Sequence, residues 1–160
     1  MDVSVFTTNI GQDRGSDIPF NKPVNMDGVK VYYYPVTFPK FYCYSRQLGN
    51  AVKERIPEFD IVHVHSVYLY PTAVACQWSR RHRKPYILNP FGALDSSTIK
   101  LKSYFKKLLY IKLIEKRAIN NAKAMHVASR YEKSNYEMLN FKTPAIIIPR
   151  GIDLSEYSDR

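Results

Sequence analysis

Apolar positions along this chain follow two alternating rhythms. Short runs of β-branched and aromatic residues, such as Ile61-Val62 with Val64, or Ala145 to Ile148, read as strands buried on both faces. Longer stretches with apolar residues three and four apart read as helices. In order, Val3, Val5 and Phe6 predict a strand over Asp2 to Thr8. Residues 9–27 hold glycines, prolines, Asn and Asp with little periodicity and read as loop. Val29 to Tyr34 predicts a second strand, ended by Pro35, and Pro35 and Pro39 keep the next segment extended. Leu48, Val52 and Ile56 stand four apart with Ala51 beside them, which predicts a helix over Tyr42 to Ile56, closed by Pro57.

The stretch from Asp60 to Asp95 then reads strand, helix, strand. Pro71 sits where a first helical turn tolerates proline, no breaker follows until Pro85, and Tyr86, Ile87 and Leu88 form the next strand. Ser96 to Ala122 is the longest helical pattern. Its apolar stripe runs through Leu101, Tyr104, Phe105, Leu108 and Ile111, with Lys102, Lys106, Lys116 and Arg117 roughly opposite. That basic face is either a solvated exterior or an attraction to an anionic membrane surface. A strand over Ala124 to Ala128 follows. Ser129 with Glu132 three residues later is a capping box that opens a helix through Tyr136 and Leu139. A last strand, Ala145 to Ile148, ends at Pro149-Arg150-Gly151, and the tail is too short and polar to add a layer. The alternation predicts the α/β class, a doubly wound, mostly parallel sheet with right-handed crossovers. In such sheets ligands bind beyond the carboxyl ends of the strands. Those ends are His65-Ser66 and Asn89-Pro90-Phe91-Gly92.

Composition narrows the partners. The 160 residues suffice for one domain that buries roughly 70% of its unfolded surface. No apolar run approaches the ~20 residues that span a bilayer, and MDVSVFTTN lacks the pattern of a signal peptide. The two cysteines, Cys43 and Cys76, read as packing in a reducing, cytoplasmic compartment. A net charge of +10 favours anionic partners: phosphates, acidic headgroups or nucleic acid. Thirteen Tyr and eight Phe are enough for base stacking, but no nucleic-acid module signature accompanies them, so no nucleic acid is expected.

Candidate chemistry gathers at the strand ends. His63 and His65 project from one side of a strand, and His65, which ends it, faces the crevice. No third ligand stands at a supporting spacing, because His126 lies on another strand and His82 on a basic helix end, so no metal is expected. Asn89, Gly92 and Asp95 form a polar loop. Gly92 serves either a close approach of backbone N–H to a ligand or a tight turn. Asp95 also suits a helix cap before Ser96-Ser97. Arg150-Gly151 either holds a phosphate or sugar oxygen or simply turns the chain. There is no G-x-S-x-G, no P-loop and no G-x-G-x-x-G.

DIVHVHSVY, NPFGALD, the lysines of Lys100 to Lys107, EKRAINNAKAMHVAS-RYE and IIIPRGIDLSEY follow one another in order. In this the chain resembles the N-terminal domain of the retaining, family-4 type (group 1) glycosyltransferases of the GT-B fold. The resemblance implies transfer of a hexose from a nucleotide-sugar donor to a saccharide or lipid-linked acceptor. It also implies a role in cell-surface polysaccharide synthesis at the inner face of the membrane, with no cofactor beyond the donor substrate. It places substrate around His65, Ser66, Asn89, Phe91, Gly92, Asp95, Arg150 and Gly151, and assigns none of them a catalytic role. Residues 1–150 would be the acceptor-side domain, lacking the family's first strand and glycine-rich loop, and residues 151–160 the start of a linker. The donor-side domain carries a pair of glutamates separated by seven residues, and Glu54, Glu58, Glu115, Glu132, Glu137 and Glu156 include no such pair. Phe91-Gly92 stands where many members have His-Gly, and Arg150 where Asn is usual. The chain alone is therefore expected to be catalytically incomplete. The missing strand would lie between the Asp2 strand and the Ile61 strand. Its absence predicts that these strands close up, that the sheet splits, or that the polypeptide is longer. The alternative reading is a non-catalytic module that docks on an anionic membrane or a partner subunit.

Overall fold

The structure is a computed structural model that describes residues 1–11, 19–94 and 115–151. Among the described residues, seven strands form two separate sheets. The first contains β1 (Ser4–Thr8), β2 (Pro23–Met26) and β3 (Val29–Tyr34) in the order β1-β3-β2. β1 runs parallel to β3, with Phe6 level with Tyr32, and β2 runs antiparallel to β3. The second contains β4 (Val62–His65), β5 (Tyr86–Asn89), β6 (Ala124–Val127) and β7 (Ala145–Ile147) in that order, all parallel. Its helices are α2 (Tyr70–Arg81) between β4 and β5, α3 (Lys116–Asn120) before β6, and α4 (Arg130–Glu137) between β6 and β7. Helix α1 (Arg46–Arg55) joins the two halves.

Of the three outcomes expected for the Asp2 and Ile61 strands, the described residues show a split sheet. No described strand pairs with the second edge of β1 or of β4. The halves are held together by side chains instead. Leu48, Val52 and Ile56 gather Phe6, Tyr32 and Tyr34 from the first sheet and Val62 and Val74 from the second into one cluster. Arg55 lies over both the Phe6 and Tyr32 rings, at 5.2 and 4.7 Å. A glycine inside α1 would normally cost about 1 kcal/mol of helix propensity. Gly49 is there because a Cβ would strike the Tyr70 hydroxyl of α2, and that ring is packed edge-on against Tyr44 and Tyr42.

The main core lies under the second sheet. Val64, Tyr86, Leu88 and Met125 point to one face and meet Cys76 of α2, Ala118 and Ile119 of α3, and Tyr136 of α4. The alternate residues, His63, His65, Asn89 and His126, therefore share the opposite face. There His126 is half-buried, and His63 and His65 are open to water on one side while their rings pack against His126, Phe91 and each other.

The residues expected as loop contain β2. Asp27 and Gly28 both take left-handed backbone (φ 51° and 84°) between the paired Met26 and Val29, which is the two-residue hairpin that Asp-Gly favours. Pro23 is tolerated because β2 is an edge strand. The helix expected over Tyr42 to Ile56 starts later, at Arg46. Ser45 is its cap, accepting from the Leu48 N–H at 3.2 Å, and Lys40–Tyr42 forms a separate 3-10 turn. The basic face of Lys100 to Lys107, and most of that long helical pattern, fall outside the described residues.

Candidate functional site

Two neighbouring strands of the second sheet, β4 and β5, end in strained turns on the same side of the molecule. Ser66 (φ 72°) and Tyr68 (φ 65°) follow β4, and Phe91 (φ 52°) and Gly92 (φ 72°) follow β5. Left-handed backbone at a residue with a side chain costs on the order of 1–3 kcal/mol and persists where the surroundings enforce it. They do so here. The Ser66 N–H donates to the Asn89 carbonyl at 2.7 Å, and the Thr72 hydroxyl donates to the carbonyls of His65 and Ser66, both at 3.2 Å. The Tyr68 N–H donates to Glu115 Oε1 at 2.8 Å. Glu115 is completely buried, and burial raises its carboxyl above the ordinary range. The Ala93 N–H returns to the Pro90 carbonyl at 3.0 Å, so Phe91 and Gly92 are the centre of a tight turn with both residues left-handed. Gly92 thus stands in a tight turn at the end of β5.

A chain of hydrogen bonds crosses the ends of all four strands. Asn89 Oδ1 accepts from the Phe91 N–H at 2.9 Å, and Asn89 Nδ2 donates to His126 Nδ1 at 3.2 Å. His126 Nε2 donates to the Ile148 carbonyl at 2.9 Å. That bond assigns the proton to Nε2 and leaves Nδ1 as an acceptor, which also receives His63 Nε2–H at 3.2 Å. Burial, then the neighbouring His65 and His126, lower the His63 ring to about 4 from its ordinary 6.5. Burial, then His126, lowers His65 as well.

The residues left to face the crevice are His65, Phe91 and Arg150. The His65 ring lies 4.3 Å from that of His63 and 5.5 Å from that of Phe91. The Arg150 guanidinium sits 4.3 Å over the Phe91 ring, a cation on an aromatic face. Together they set a neutral imidazole, an apolar plate and a positive charge side by side. Asn89 is spent on the hydrogen-bond chain and positions the turn. Ser66 supplies backbone rather than a directed hydroxyl, its Oγ donating to the Val67 carbonyl at 3.4 Å. Gly151 has open space around its Cα and no left-handed angle, so nothing at that position demands glycine. Asp95 lies outside the described residues. His126 was not foreseen as part of this group, nor Glu115 beneath it. Among the described residues, no group of three His, Cys, Asp or Glu is arranged to hold a metal ion.

A parallel four-stranded sheet with its helices, and a crevice at the strand ends, define a Rossmann-like α/β domain of the GT-B type. Residues 1–156 match the family Glycosyltransferase Family 4, and the chain belongs to that family. Among solved structures it is similar to HepE of Anabaena, crystallised in complex with UDP, with a TM-score of 0.52 and 14% identity. The alignment covers 81% of this chain and 32% of HepE, so the chain spans about a third of that protein's length. No curated protein matches the sequence.

Proposed function

We propose that this domain is the acceptor-side lobe of a glycosyltransferase, binding a saccharide or lipid-linked acceptor while a hexose is transferred from a nucleotide-sugar. The observation that carries this reading is the meeting of His65, Phe91 and Arg150 beyond the ends of the parallel strands β4, β5 and β7, in a chain of Glycosyltransferase Family 4. A sugar ring presents an apolar face and a rim of hydroxyls. The Phe91 ring suits the first. Neutral His65 suits the second, accepting from or donating to a hydroxyl without the desolvation cost of an imidazolium. Arg150 suits an anionic group on either substrate. A UDP-sugar is the donor favoured by the likeness to HepE. Among the described residues no helix is long and apolar enough to cross a membrane, so a membrane-borne acceptor would be reached from the surface. The lobe spans 32% of HepE, and we assign the donor site and the chemistry to a second lobe that residues 151–160 lead into.

The test is an NMR titration of the chain with an alkyl glycoside as acceptor surrogate, then with UDP-glucose and GDP-mannose. Shifts confined to His65, Phe91 and Arg150, abolished in His65→Ala and Arg150→Ala, are expected with the glycoside. Shifts elsewhere, or none, would overturn the site. Hexose transfer by the chain alone would overturn its dependence on a second lobe.

A further inference from the structure

The opposite end of the same sheet carries a hollow of about 350 Å3, and four of the seven residues that line it are cationic. Arg80, Arg83 and Lys84 come from the end of α2 and the turn into β5, Tyr86 begins β5, and Asn121 and Lys123 precede β6. The volume lies in the range of small-molecule sites, roughly 300–1,000 Å3. Tyr86 opens β5 and Asn89 closes it, so this hollow and the His65 crevice are separated by the length of that strand, roughly 10 Å.

Two ordinary explanations for the charge fall short. Basic residues in the last turn of a helix offset its dipole, which accounts for Arg80 and Arg81. It does not account for Arg83 and Lys84, which lie past the helix end, or for Lys123, which arrives from another loop. Ion pairing does not account for them either. The pairs among the described residues are Lys30–Asp2, Arg55–Glu58 and Lys133–Glu137, and none involves this group. Four like charges face one space and repel, with no described carboxylate between them.

The backbone holds them there at a cost. Arg83 N–H donates to the Arg80 carbonyl at 3.1 Å and Lys84 N–H to the Ser79 carbonyl at 2.8 Å, the paired bonds of a helix C-terminal motif whose left-handed position normally belongs to glycine. Arginine occupies it, at φ 56°. Arg80 is half-buried with its side chain against Tyr86, and the Tyr86 hydroxyl itself donates to the Ala118 carbonyl. One guanidinium is thus fixed at the wall of the hollow while the other cations surround it.

We infer that this hollow binds a phosphate-class polyanion, a diphosphate or phosphomonoester, through Arg80, Arg83, Lys84 and Lys123. Guanidinium forks match phosphate oxygens in pairs, and the ammonium groups add unshared charge. The inference does not rest on sugar transfer at the other end of the strands. The phosphate has two sources, a free small molecule or an anionic lipid headgroup, and two arms of one experiment separate them. Calorimetry of the chain with inorganic pyrophosphate at 0.05 and 0.3 M NaCl reads the first. Co-sedimentation with phosphatidylcholine vesicles, with and without phosphatidic acid, reads the second. Arg83→Gly is the first variant, because glycine relieves the left-handed strain and keeps the fold. Lys123→Gln, on the other loop, is the second. Binding in either arm that falls about tenfold or more in both variants, with unchanged or higher melting temperature, supports the site. Binding equal in wild type and variants, or absent in both arms, overturns it. Pyrophosphate without vesicle binding assigns a soluble ligand, and vesicle binding without pyrophosphate assigns the headgroup.

Discussion

Burial and two neighbouring imidazoles hold the His63 ring at about 4, and the sign of that shift fixes a pH dependence. Below the unfolded value of 6.5 the unfolded chain takes up a proton that the folded chain refuses, so stability falls as pH drops from 6.5 toward 4. Above 6.5 the group contributes nothing to the slope. His63 is partly open to water, so the effect is discounted for solvent screening to about 1 kcal/mol, roughly 2–4 °C in melting temperature at this size. Gln at position 63 keeps a donor toward His126 Nδ1 and does not titrate. The wild type should therefore lose a few degrees more than His63→Gln between pH 7 and pH 4.5, and equal losses would show that the ring is not held neutral. The pattern of apolar and polar residues placed His65, Asn89 and Phe91-Gly92 at strand ends, where they stand, because the ends of predicted strands are where loops must be. It did not reveal His126, which meets His63 across β5, 63 residues away in sequence. Pairing register is set by the assembled sheet and leaves no local spacing to read.

The clearest element was α4, where Ser129 and Glu132 announced a helix start. Half of the capping box is as expected, with Ser129 Oγ accepting from the Glu132 N–H at 3.2 Å. The other half is displaced by one residue. Glu132 Oε2 accepts from the Ala128 N–H at 2.6 Å instead of reaching the cap's own N–H. Glu132 thereby ties the end of β6 to the start of α4, behind the Gly92 turn, whose Cβ position lies 3.5 Å from its Oε1. Ser129→Ala should cost about 1 kcal/mol, a drop of roughly 2–4 °C on thermal melting, and an unchanged melt would remove the cap from the account. The elements that escaped the pattern did so for definable reasons. β2 is four residues long, begins with proline and is exposed at three of its four positions, so it carries no apolar alternation. Only the Asp27-Gly28 pair marked it. α1 was recognised by its stripe, but its start was set by the Ser45 side chain, and Tyr42 to Tyr44 pack against α2 outside the helix.

At the scale of the whole molecule the division of the sheet decides the most. The ladder between β1 and β3 runs through Val3 and Asn9, and that between β4 and β5 through Val62 and Ser66. Parallel pairing uses every second residue of a strand, so the N–H groups of Phe6 and Thr8 and of His63 and His65 point to the edges where no described strand pairs. Both edges border the α1 cluster, where Phe6 and Val62 pack against the same helix. Side-chain packing thus supplies the continuity that backbone hydrogen bonds would give an unbroken sheet. Apolar packing is blind to that difference and amide exchange is not. Exchange of the Phe6 and His63 amides should be faster than that of Thr7 and Val64, their immediate neighbours, by about tenfold or more at neutral pH. The comparison is internal to each strand, so global stability cancels. Equal protection of neighbours would mean that the two edges are hydrogen-bonded to something, joining the halves into one sheet, and the separation of the Phe6 strand from the His63 strand would then be wrong.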